Sequence, residues 1–399
     1  MDFITGDEYK FYNGYIYGGV CVSVTNDTYA ILYQTNVITR PTFVMAAVRN
    51  GLELSFSSAK NLSYFSNYEA NNDQYSALGM CLCGPNNVMT KWVDESTGKA
   101  LYRIASLSGT STPDAGEIYS ELLYEGGMYG DPCSIVMDSD SVSGIILCCH
   151  EEHASVLTIN GTEIIDQSDY TQIFENNNIV NTTEHIGSGL VLSFSKGDTP
   201  LGETYSISVD GTTVTKEVLN SFVANPADPD YLSSCLLHDD QTCGLVWRDA
   251  NNSNKGNICH VSVSETTPIY GTPQIWSSGQ IRCPSIFSYG DDNIGVVYID
   301  TEDSDKLKII RGTLSGTVFT FPEDPIVVHD AATTHVHRPA LQDDRYLMIS
   351  YRDADDSNKG KAVIVDVVGS PSNNMSATVG GHQIFANIWV PETWRVYRG

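Results

Sequence analysis

Apolar residues along this chain of 399 residues fall in short alternating runs that are separated by turn residues. The pattern repeats, and its clearest copies begin at Gly244, Ile294 and Tyr346. In each copy an apolar run ends in an aromatic residue, a turn rich in Asp or Asn follows, and a second apolar run comes after the turn. Alternation with period two predicts half-buried β-strands rather than helices.

The aromatic residue that ends the first run serves as an anchor for aligning the copies. Trp247, Tyr298 and Tyr351 are separated by 51 and 53 residues. Four weaker copies precede them, so that seven copies account for nearly the whole chain. The predicted anchors in chain order are Tyr33, Trp92, Cys149, Phe194, Trp247, Tyr298 and Tyr351.

Each copy has room for four antiparallel strands, which we label A to D, with short turns between them. The sequence therefore predicts an all-β fold: a single closed β-propeller of about seven four-stranded antiparallel blades. Six or eight blades are also compatible with the pattern, because the anchors Cys149 and Phe194 are only 45 residues apart. Closure into a ring shields strand edges that would otherwise pair with other chains.

The chain divides into three predicted segments. Residues 1–17 form an N-terminal segment whose alternating aromatics, from Tyr9 to Tyr17, suit a strand that completes the last blade. Residues 18–385 form the propeller. Residues 386–399 form a C-terminal tail that packs across the closure or makes an external contact.

The charge balance limits the partners. Lys and Arg number 22 against 49 Asp and Glu, for a net charge of −27. Such a chain is repelled by phosphate backbones, so nucleic acid is not an expected partner. No apolar run reaches eighteen residues, so no membrane span is expected. No secretory signal precedes the first copy, and the cysteines sit in apolar runs, which favours reduced, buried thiols.

Two arginines and two histidines are candidate ligand-binding residues. Arg282 and Arg338 stand at the start of strand A, the innermost strand of a blade, and His335 and His337 flank the second of them. Arginine binds planar anions with two hydrogen bonds, so this group suits a carboxylate or a sugar. The alternative, which the sequence favours, is that both arginines pair with Asp side chains of neighbouring turns. The two histidines share one strand face, as a metal pair needs, but no third ligand stands nearby.

The turn between strands B and C is a candidate calcium site. In the last copy Asp353, Asp355 and Asp356 offer hard oxygen ligands. The equivalent turn from Arg248 to Gly256 has Asn251 and Asn252 instead, and neither turn ends in a bidentate Glu. A turn fixed by Asp and Asn hydrogen bonds explains both copies without metal. No other cofactor is expected.

Signatures of propeller enzymes are missing from the sequence. It has no S-x-D-x-G-x-T-W box, no G-x-S-x-G motif and no phosphate-binding loop. A propeller glycosidase needs two or three carboxylates that converge on the axis. No single acid stands out as such a residue, so enzyme activity is unsupported, and a carbohydrate-active propeller enzyme stays as an alternative.

The phrases WRDANNSNKG, YRDADDSNKG and RGTLSGTVFTF resemble repeats of propeller-type virion proteins of tailed phages, especially marine ones. The resemblance covers roughly residues 234–369 in wording and the earlier copies only in pattern. It implies a tail-associated or capsid-decorating virion protein, assembled in the host cytoplasm, whose propeller contacts other virion proteins or host-surface glycan. A cellular interaction scaffold is a further alternative, since a fold alone carries no function.

Overall fold

The computed structural model describes most of the chain. The described residues are 3–35, 41–62, 78–94, 99–120, 134–136, 143–150, 153–173, 179–186, 190–196, 202–222, 232–237, 241–290, 292–322, 324–368, 375–379 and 382–386.

The described chain is almost entirely β-strand, and its one helical segment is a short 3-10 turn, Ala250–Asn252. The all-β prediction is therefore confirmed. Its strands pair in chain order as successive antiparallel groups. Each group has an inner strand A, two central strands B and C, and an outer strand D, which is interrupted in several groups.

The first three groups have these bounds. The first is the end of β2 (Tyr9–Ser23), β3 (Thr28–Thr35), β4 (Thr42–Asn50), β5 (Glu53–Phe56) and β6 (Lys60–Asn61). The second is β7 (Gly79–Leu82), β8 (Asn87–Asp94), β9 (Lys99–Ser106), β10 (Asp114–Ala115) and β11 (Tyr119–Ser120). The third is β12 (Ser134–Val136), β13 (Ser143–His150), β14 (His153–Asn160), β15 (Glu163–Gln167) and β16 (Thr171–Gln172).

Four more groups and a hairpin follow. The fourth group is β17 (Ile179–His185), β18 (Leu190–Lys196), β19 (Gly202–Asp210) and β20 (Thr213–Phe222). The fifth is β21 (Leu232–Leu236), β22 (Thr242–Asp249), β23 (Lys255–Ser264), β24 (Thr267–Tyr270) and the start of β25 (Gln274–Ser288). The sixth is the end of β25, β26 (Asn293–Asp300), β27 (Lys306–Ser315), β28 (Val318–Thr320) and the start of β29 (Ile326–Val336). The seventh is β30 (Ala340–Gln342), β31 (Tyr346–Asp353), β32 (Lys359–Asp366), β1 (Ile4–Thr5) and the start of β2, and the hairpin is β33 (Met375–Val379) with β34 (His382–Ala386).

The repeat anchors occupy one structural position, the second half of strand B. Their described side chains are all buried, as expected for residues that fill the space between neighbouring groups. The side chain of Cys149 lies outside the described residues. Buried anchors are Tyr33, Trp92, Phe194, Trp247, Tyr298 and Tyr351.

Long strands link the later groups to each other. The start of β25 pairs with β23 of the fifth group, and its end pairs with β26 of the sixth. In the same way β29 pairs first with β27 and then with β31. The strand β2 pairs first with β32 and then with β3, so it links the seventh group to the first.

One backbone hydrogen bond recurs at these joints. The B–C turns end in a pair of left-handed residues, Ser253 and Asn254 in the fifth group, with φ of 53° and 59°. The carbonyl of the second left-handed residue accepts the N–H of the strand that leads to the next group. The three bonds are Ile281 N to Asn254 O at 3.0 Å, Thr333 N to Asp305 O at 2.9 Å and Ile16 N to Asn358 O at 3.1 Å.

A contact between a glycine and an aromatic ring recurs beside that bond. A Cβ placed on Gly256 would lie 2.3 Å from Trp276, and one on Gly360 would lie 2.5 Å from Phe11. Because these rings lie against the backbone, no larger side chain fits at either glycine. Phe11 and Ile16 therefore hold the positions in the seventh group that Trp276 and Ile281 hold in the fifth.

The structure describes the predicted N-terminal segment but little of the predicted C-terminal tail. Tyr9 faces Ala362 and Lys10 faces Lys361, so the predicted N-terminal segment forms an outer strand on β32. Residues 387–399 of the predicted tail lie outside the described residues, and the boundaries at 17 and 385 stay predictions. In the A–B turn of the seventh group, Asp343 and Asp344 adopt left-handed φ of 51° and 50°.

The described cysteines are buried, as the sequence predicted. Cys21, Cys83, Cys235, Cys243 and Cys259 are free and buried, and burial raises the pKa of the Cys259 thiol to about 12. Over the described ranges, no helix has the length and apolarity that a membrane crossing requires.

The joint to the seventh group yields a stability prediction. Ile16 is fully buried, whereas Ile275 is 59 % exposed on the corresponding outer strand of the fifth group. Replacing Ile16 with Ala should lower the free energy of unfolding by about 2–5 kcal/mol, because it leaves a cavity. The same change at Ile275 should cost under about 1 kcal/mol. Urea unfolding of both variants measures the difference, and equal losses would contradict this packing.

Candidate functional site

Arg282 lies between two groups and is held by neighbouring turn atoms. Its Nη2 is 2.9 Å from Oδ1 of Asp305, in the B–C turn of the same group. The same nitrogen donates to the carbonyl of Thr333 at 3.4 Å. This geometry is the pairing with a turn Asp that the sequence favoured, so the guanidinium stabilises the joint between the sixth and seventh groups.

Arg338 is placed differently, because its side chain reaches across to inner strands of distant groups. Its Nη2 donates to Oε1 of Glu184 at 2.8 Å and to the carbonyl of Ser234 at 3.2 Å. The backbone carbonyl of Arg338 accepts from Sγ of Cys21 at 2.9 Å. These partners belong to the fourth, fifth and first groups, so inner strands of four groups converge at this residue.

A hydrogen-bonded chain supports the carboxylate that holds Arg338. Oγ of Ser234 donates to Oε1 of Glu184 at 2.7 Å, and Oγ1 of Thr182 lies 2.7 Å from Oγ of Ser234. The side chain of Glu184 is 8 % exposed, whereas that of Arg338 is 45 % exposed. Burial of an ion pair is costly unless further hydrogen bonds satisfy the charges, as they do here. We call Thr182, Glu184, Ser234 and Arg338 the axial network.

In the axial network the guanidinium of Arg338 offers hydrogen-bond donors, and the carboxylate of Glu184 balances its charge. A guanidinium that is already paired with a carboxylate can still bind hydroxyl or carboxylate oxygens through its exposed side. The sequence reasoning found Arg338 but missed Glu184 and Ser234. The signal was present in the run NTTEH, where the polar residues Thr182 and Glu184 alternate on one face of a strand.

Of the two predicted histidines beside Arg338, His337 is buried and His335 is half-buried. Nδ1 of His337 lies 2.8 Å from Oγ of Ser350, and its backbone N–H donates to the carbonyl of Ser350 at 3.0 Å. Burial, followed by the nearby His335 and Arg352, lowers the pKa of His337 to about 3. Burial, followed by Arg352 and Arg282, likewise lowers the pKa of His335 to about 3. Both imidazoles are therefore neutral at pH 7 and supply no proton there.

Among the predicted calcium ligands, Asp353 is fully engaged within the protein. Its Oδ1 accepts the backbone N–H of Asp355 at 2.9 Å and of Asp356 at 3.2 Å. Its Oδ2 lies 2.5 Å from Nζ of Lys361. Burial alone raises the pKa of Asp353, but the hydrogen bonds from Lys361 and from the Asp356 backbone outweigh it, so the pKa lies below its ordinary value.

The other two predicted ligands also have protein partners. Asp356 pairs with Lys10 at 2.6 Å and with Lys359 at 2.7 Å, and these contacts lower its pKa to about 2. Oδ2 of Asp355 accepts the backbone N–H of Ala332 at 3.4 Å. No cluster of three or more His, Cys, Asp or Glu that could hold a metal occurs in the described part of the chain. Calcium binding stays a prediction, and these contacts favour the hydrogen-bonded turn.

The same arrangement recurs in the two preceding groups. Asp249 accepts the N–H of Asn251 at 2.9 Å, and Asp300 accepts the N–H of Glu302 at 3.0 Å. In each case the second carboxylate oxygen binds the residue eight positions on: Asn257 at 3.3 Å, Lys308 at 2.9 Å and, in the last group, Lys361. The Asp that ends strand B is thus a turn-forming residue in all three groups.

Comparison with known proteins shows similarity at the level of fold. No protein-family model matches the chain, and no curated protein matches its sequence. Its structural neighbours are β-propeller proteins. A protein from Lactobacillus plantarum is similar over 86 % of this chain and 96 % of its own, with a TM-score of 0.55 and 10 % identity.

Two further neighbours have names that indicate a function for them. A candidate 6-phosphogluconolactonase from Bacteroides fragilis matches over 86 % of this chain and 95 % of its own, with a TM-score of 0.53 and 10 % identity. The six-bladed β-propeller lectin of the fungus Aleuria aurantia matches over 91 % and 99 %, with a TM-score of 0.47 and 9 % identity. At such identities the likeness concerns the fold alone.

The buried His337 predicts a pH dependence of stability. Its pKa of about 3 in the folded chain lies below the value of about 6.5 in an unfolded one. The associated stability is therefore present above pH 6.5 and is lost as the pH falls towards 3. At pH 5 the loss should be about 2 kcal/mol relative to pH 7.5.

Urea unfolding of the protein and of His337→Gln at pH 7.5 and 5.0 checks this expectation. The variant should lose less stability on acidification, because it has no group to protonate at this position. In parallel, the imidazole resonances of His337 should not titrate between these pH values. An equal loss in both proteins, or a titration near pH 6.5, would contradict the burial.

The turn carboxylate yields a second prediction. Asp353→Ala should lower the free energy of unfolding by about 3 kcal/mol, because Lys361 and two backbone N–H groups lose a buried partner. Asp355→Ala is the matched control and should cost under about 1 kcal/mol, since Asp355 makes one long hydrogen bond. Addition of Ca²⁺ or of a chelator should leave the melting temperature unchanged. A rise with Ca²⁺ that Asp353→Ala abolishes would establish the calcium site instead.

Proposed function

We propose that the protein is a non-enzymatic β-propeller of about seven blades, closed by its N-terminal strand, that serves as a rigid virion platform for attachment. The recurring joint carries the proposal: the turn-to-strand bond of Asn254 and Ile281 has a counterpart in Asn358 and Ile16. A strand from near the start of the sequence thereby completes the last group. A closed ring presents its loops on a fixed scaffold, which suits a binding platform.

The contacts that the candidate residues make within the protein support binding rather than catalysis. Arg282 and the three turn aspartates make internal contacts, and the buried His337 and the half-buried His335 are neutral at pH 7 because their pKa values are lowered to about 3. A general acid or base must reach the substrate and titrate near the working pH. Among the four candidate ligand-binding residues, Arg338 has the most exposed side chain in this set, at 45 %, against 29 % for Arg282.

The virion role rests on the wording of the repeats. The turns RDANNSNKG and RDADDSNKG resemble those of phage propeller proteins. In the structure they connect strands B and C of the fifth and seventh groups. We place the protein in the virion, tail-associated or capsid-decorating, with other virion proteins or host glycan as partners. The axial network offers a contact point for glycan, since the exposed side of Arg338 can donate to sugar hydroxyls while Glu184 fixes its position.

The virion role is tested on purified particles. Tagged protein should co-sediment with virions through a density gradient, and a particle reconstruction should show a disc-shaped density of matching size. Absence from particles in a host where the protein is produced would overturn the virion role. It would leave the cellular scaffold as the alternative.

The binding role is tested by a glycan array with two matched variants. Arg338→Lys keeps a positive charge beside Glu184 but loses the planar set of donors, so glycan affinity should fall by about tenfold. Arg282→Lys is the control and should bind as the unmodified protein does. Hydrolysis of any bound glycan or of a phosphosugar lactone would support an enzyme instead. Equal glycan affinity of the two variants would show that the axial network does not bind glycan.

A further inference from the structure

Glu8 and His329 form a close contact between the N-terminal segment and β29. Oε1 of Glu8 lies 2.5 Å from Nδ1 of His329. Glu8 stands between β1 and β2, the strands that the N-terminal segment contributes to the seventh group. The strand β29 runs from the sixth group to the seventh. The contact therefore connects the segment that completes the seventh group to the strand that leads into it.

Two further charged side chains complete this contact. Nε2 of His329 lies 3.5 Å from Oδ1 of Asp353, and Nζ of Lys361 lies 2.5 Å from Oδ2 of Asp353. The same Nζ of Lys361 lies 3.4 Å from Oε2 of Glu8. Asp353 takes part here as the turn-forming acid of the seventh group. We call Glu8, His329, Asp353 and Lys361 the closure cluster.

The charges of the closure cluster balance when His329 is protonated. Two carboxylates then face one ammonium and one imidazolium. A neutral imidazole would leave the two carboxylates with a single cation, at a place where the His329 side chain is 6 % exposed. An uncompensated charge in a buried position is destabilising. The cluster therefore favours the imidazolium.

The pKa values of the cluster follow from these contacts. Burial alone would lower the pKa of His329, but the hydrogen bond and charge of Glu8, followed by the charge of Asp353, outweigh burial and raise it. Burial alone would also lower the pKa of Lys361, but the hydrogen bond to Asp353 outweighs it, so this pKa is raised too. The carboxyl groups of Glu8 and Asp353 both have lowered pKa values, because their hydrogen bonds outweigh burial. As the pH rises from neutrality, His329 is thus the first member of the cluster to change its charge.

The groups that face His329 from neighbouring elements keep their charge state near neutral pH. The hydroxyl of Tyr351, on β31, lies 3.4 Å from Nδ1 of His329, and burial raises the pKa of Tyr351 far above its ordinary value. On β27 the residue opposite His329 is the apolar Leu307. The remaining charged neighbours on β27 and β29 pair with acids or lysines of the sixth group: Lys306 with Asp303 and Asp330, and Lys308 with Asp300 and Asp303.

We propose that the closure cluster is a pH-sensitive clamp, which holds the N-terminal segment to the sixth and seventh groups at neutral pH and weakens when His329 loses its proton. The sign follows from linkage. A group whose pKa is raised on folding contributes its stabilisation fully below its unfolded pKa, and this stabilisation is lost as the pH rises through the folded pKa. The N-terminal segment should therefore be held less firmly in alkaline solution. The buried His337, in contrast, destabilises the protein on the acid side.

Hydrogen–deuterium exchange of the full chain at pH 6.5 and 8.5 tests the clamp. The peptide that covers residues 3–16 is compared with the one that covers residues 274–281, from the outer strand of the fifth group. Both rates are corrected for the intrinsic effect of pH on exchange. The exchange of residues 3–16 relative to the reference should rise severalfold at pH 8.5, because a difference between folded and unfolded pKa values changes the stability of the closed form.

Three variants separate the clamp from other contacts of the segment. Glu8→Gln and His329→Gln should both remove the alkaline rise in exchange, since each removes one charge of the central pair. Lys10→Gln is the matched control, because Lys10 lies on the same segment but pairs with Asp356, outside the cluster. This control should keep the alkaline rise. A titration of the imidazole resonances should give His329 a pKa above 6.5, and Glu8→Gln should lower it.

Each outcome decides for or against the clamp. A rise that Glu8→Gln removes and Lys10→Gln keeps supports it. An exchange ratio that is the same at both pH values, an equal rise in Glu8→Gln, or a titration of His329 at or below pH 6.5 would overturn it. If His329→Gln fails to fold, Glu8→Gln still decides, because the Glu8 side chain is 32 % exposed and its replacement leaves no buried cavity.

Discussion

The structure depends on the joint between one antiparallel group and the strand that leads to the next. At this joint a left-handed turn residue exposes its carbonyl, and the next strand supplies the N–H. One such backbone bond contributes about 1 kcal/mol, whereas burial of the adjacent aromatic ring contributes about 2–3 kcal/mol. Packing of Trp276 or Phe11 over a glycine therefore stabilises the joint more than the hydrogen bond does, and the hydrogen bond sets the register of that packing.

Some of the acidic residues of the chain form the turns that precede these joints. The Asp that ends strand B accepts backbone N–H groups of its own turn in three groups. Asp249, Asp300 and Asp353 hold the same place in three groups and share the partner eight residues on. Asp and Asn suit this place because a short side chain with an oxygen acceptor can bond the backbone two residues later. These contacts give the three acids a structural role in their turns.

The axial network shows how a half-buried ion pair can connect groups that are distant along the chain. Glu184 belongs to the fourth group and Arg338 to the seventh, and removal of either would leave a buried or half-buried charge without its partner. Such a pair adds little net stability over an apolar contact of similar volume. Its value is positional, because it orients the half-exposed guanidinium at the place where inner strands meet.

The sequence by itself determined the elements: the β-strands, the fifty-residue repeat and the buried anchors such as Trp247 and Tyr351. These follow from local alternation and turn chemistry, which act over a few residues. It also favoured the pairing of Arg282 with a turn Asp, because the turns of this chain are rich in acidic residues. Only the tertiary structure decided that Arg338 meets Glu184 and that Phe11 packs over Gly360. Those partners are separated by more than a hundred residues, and no local pattern encodes which distant strands come together.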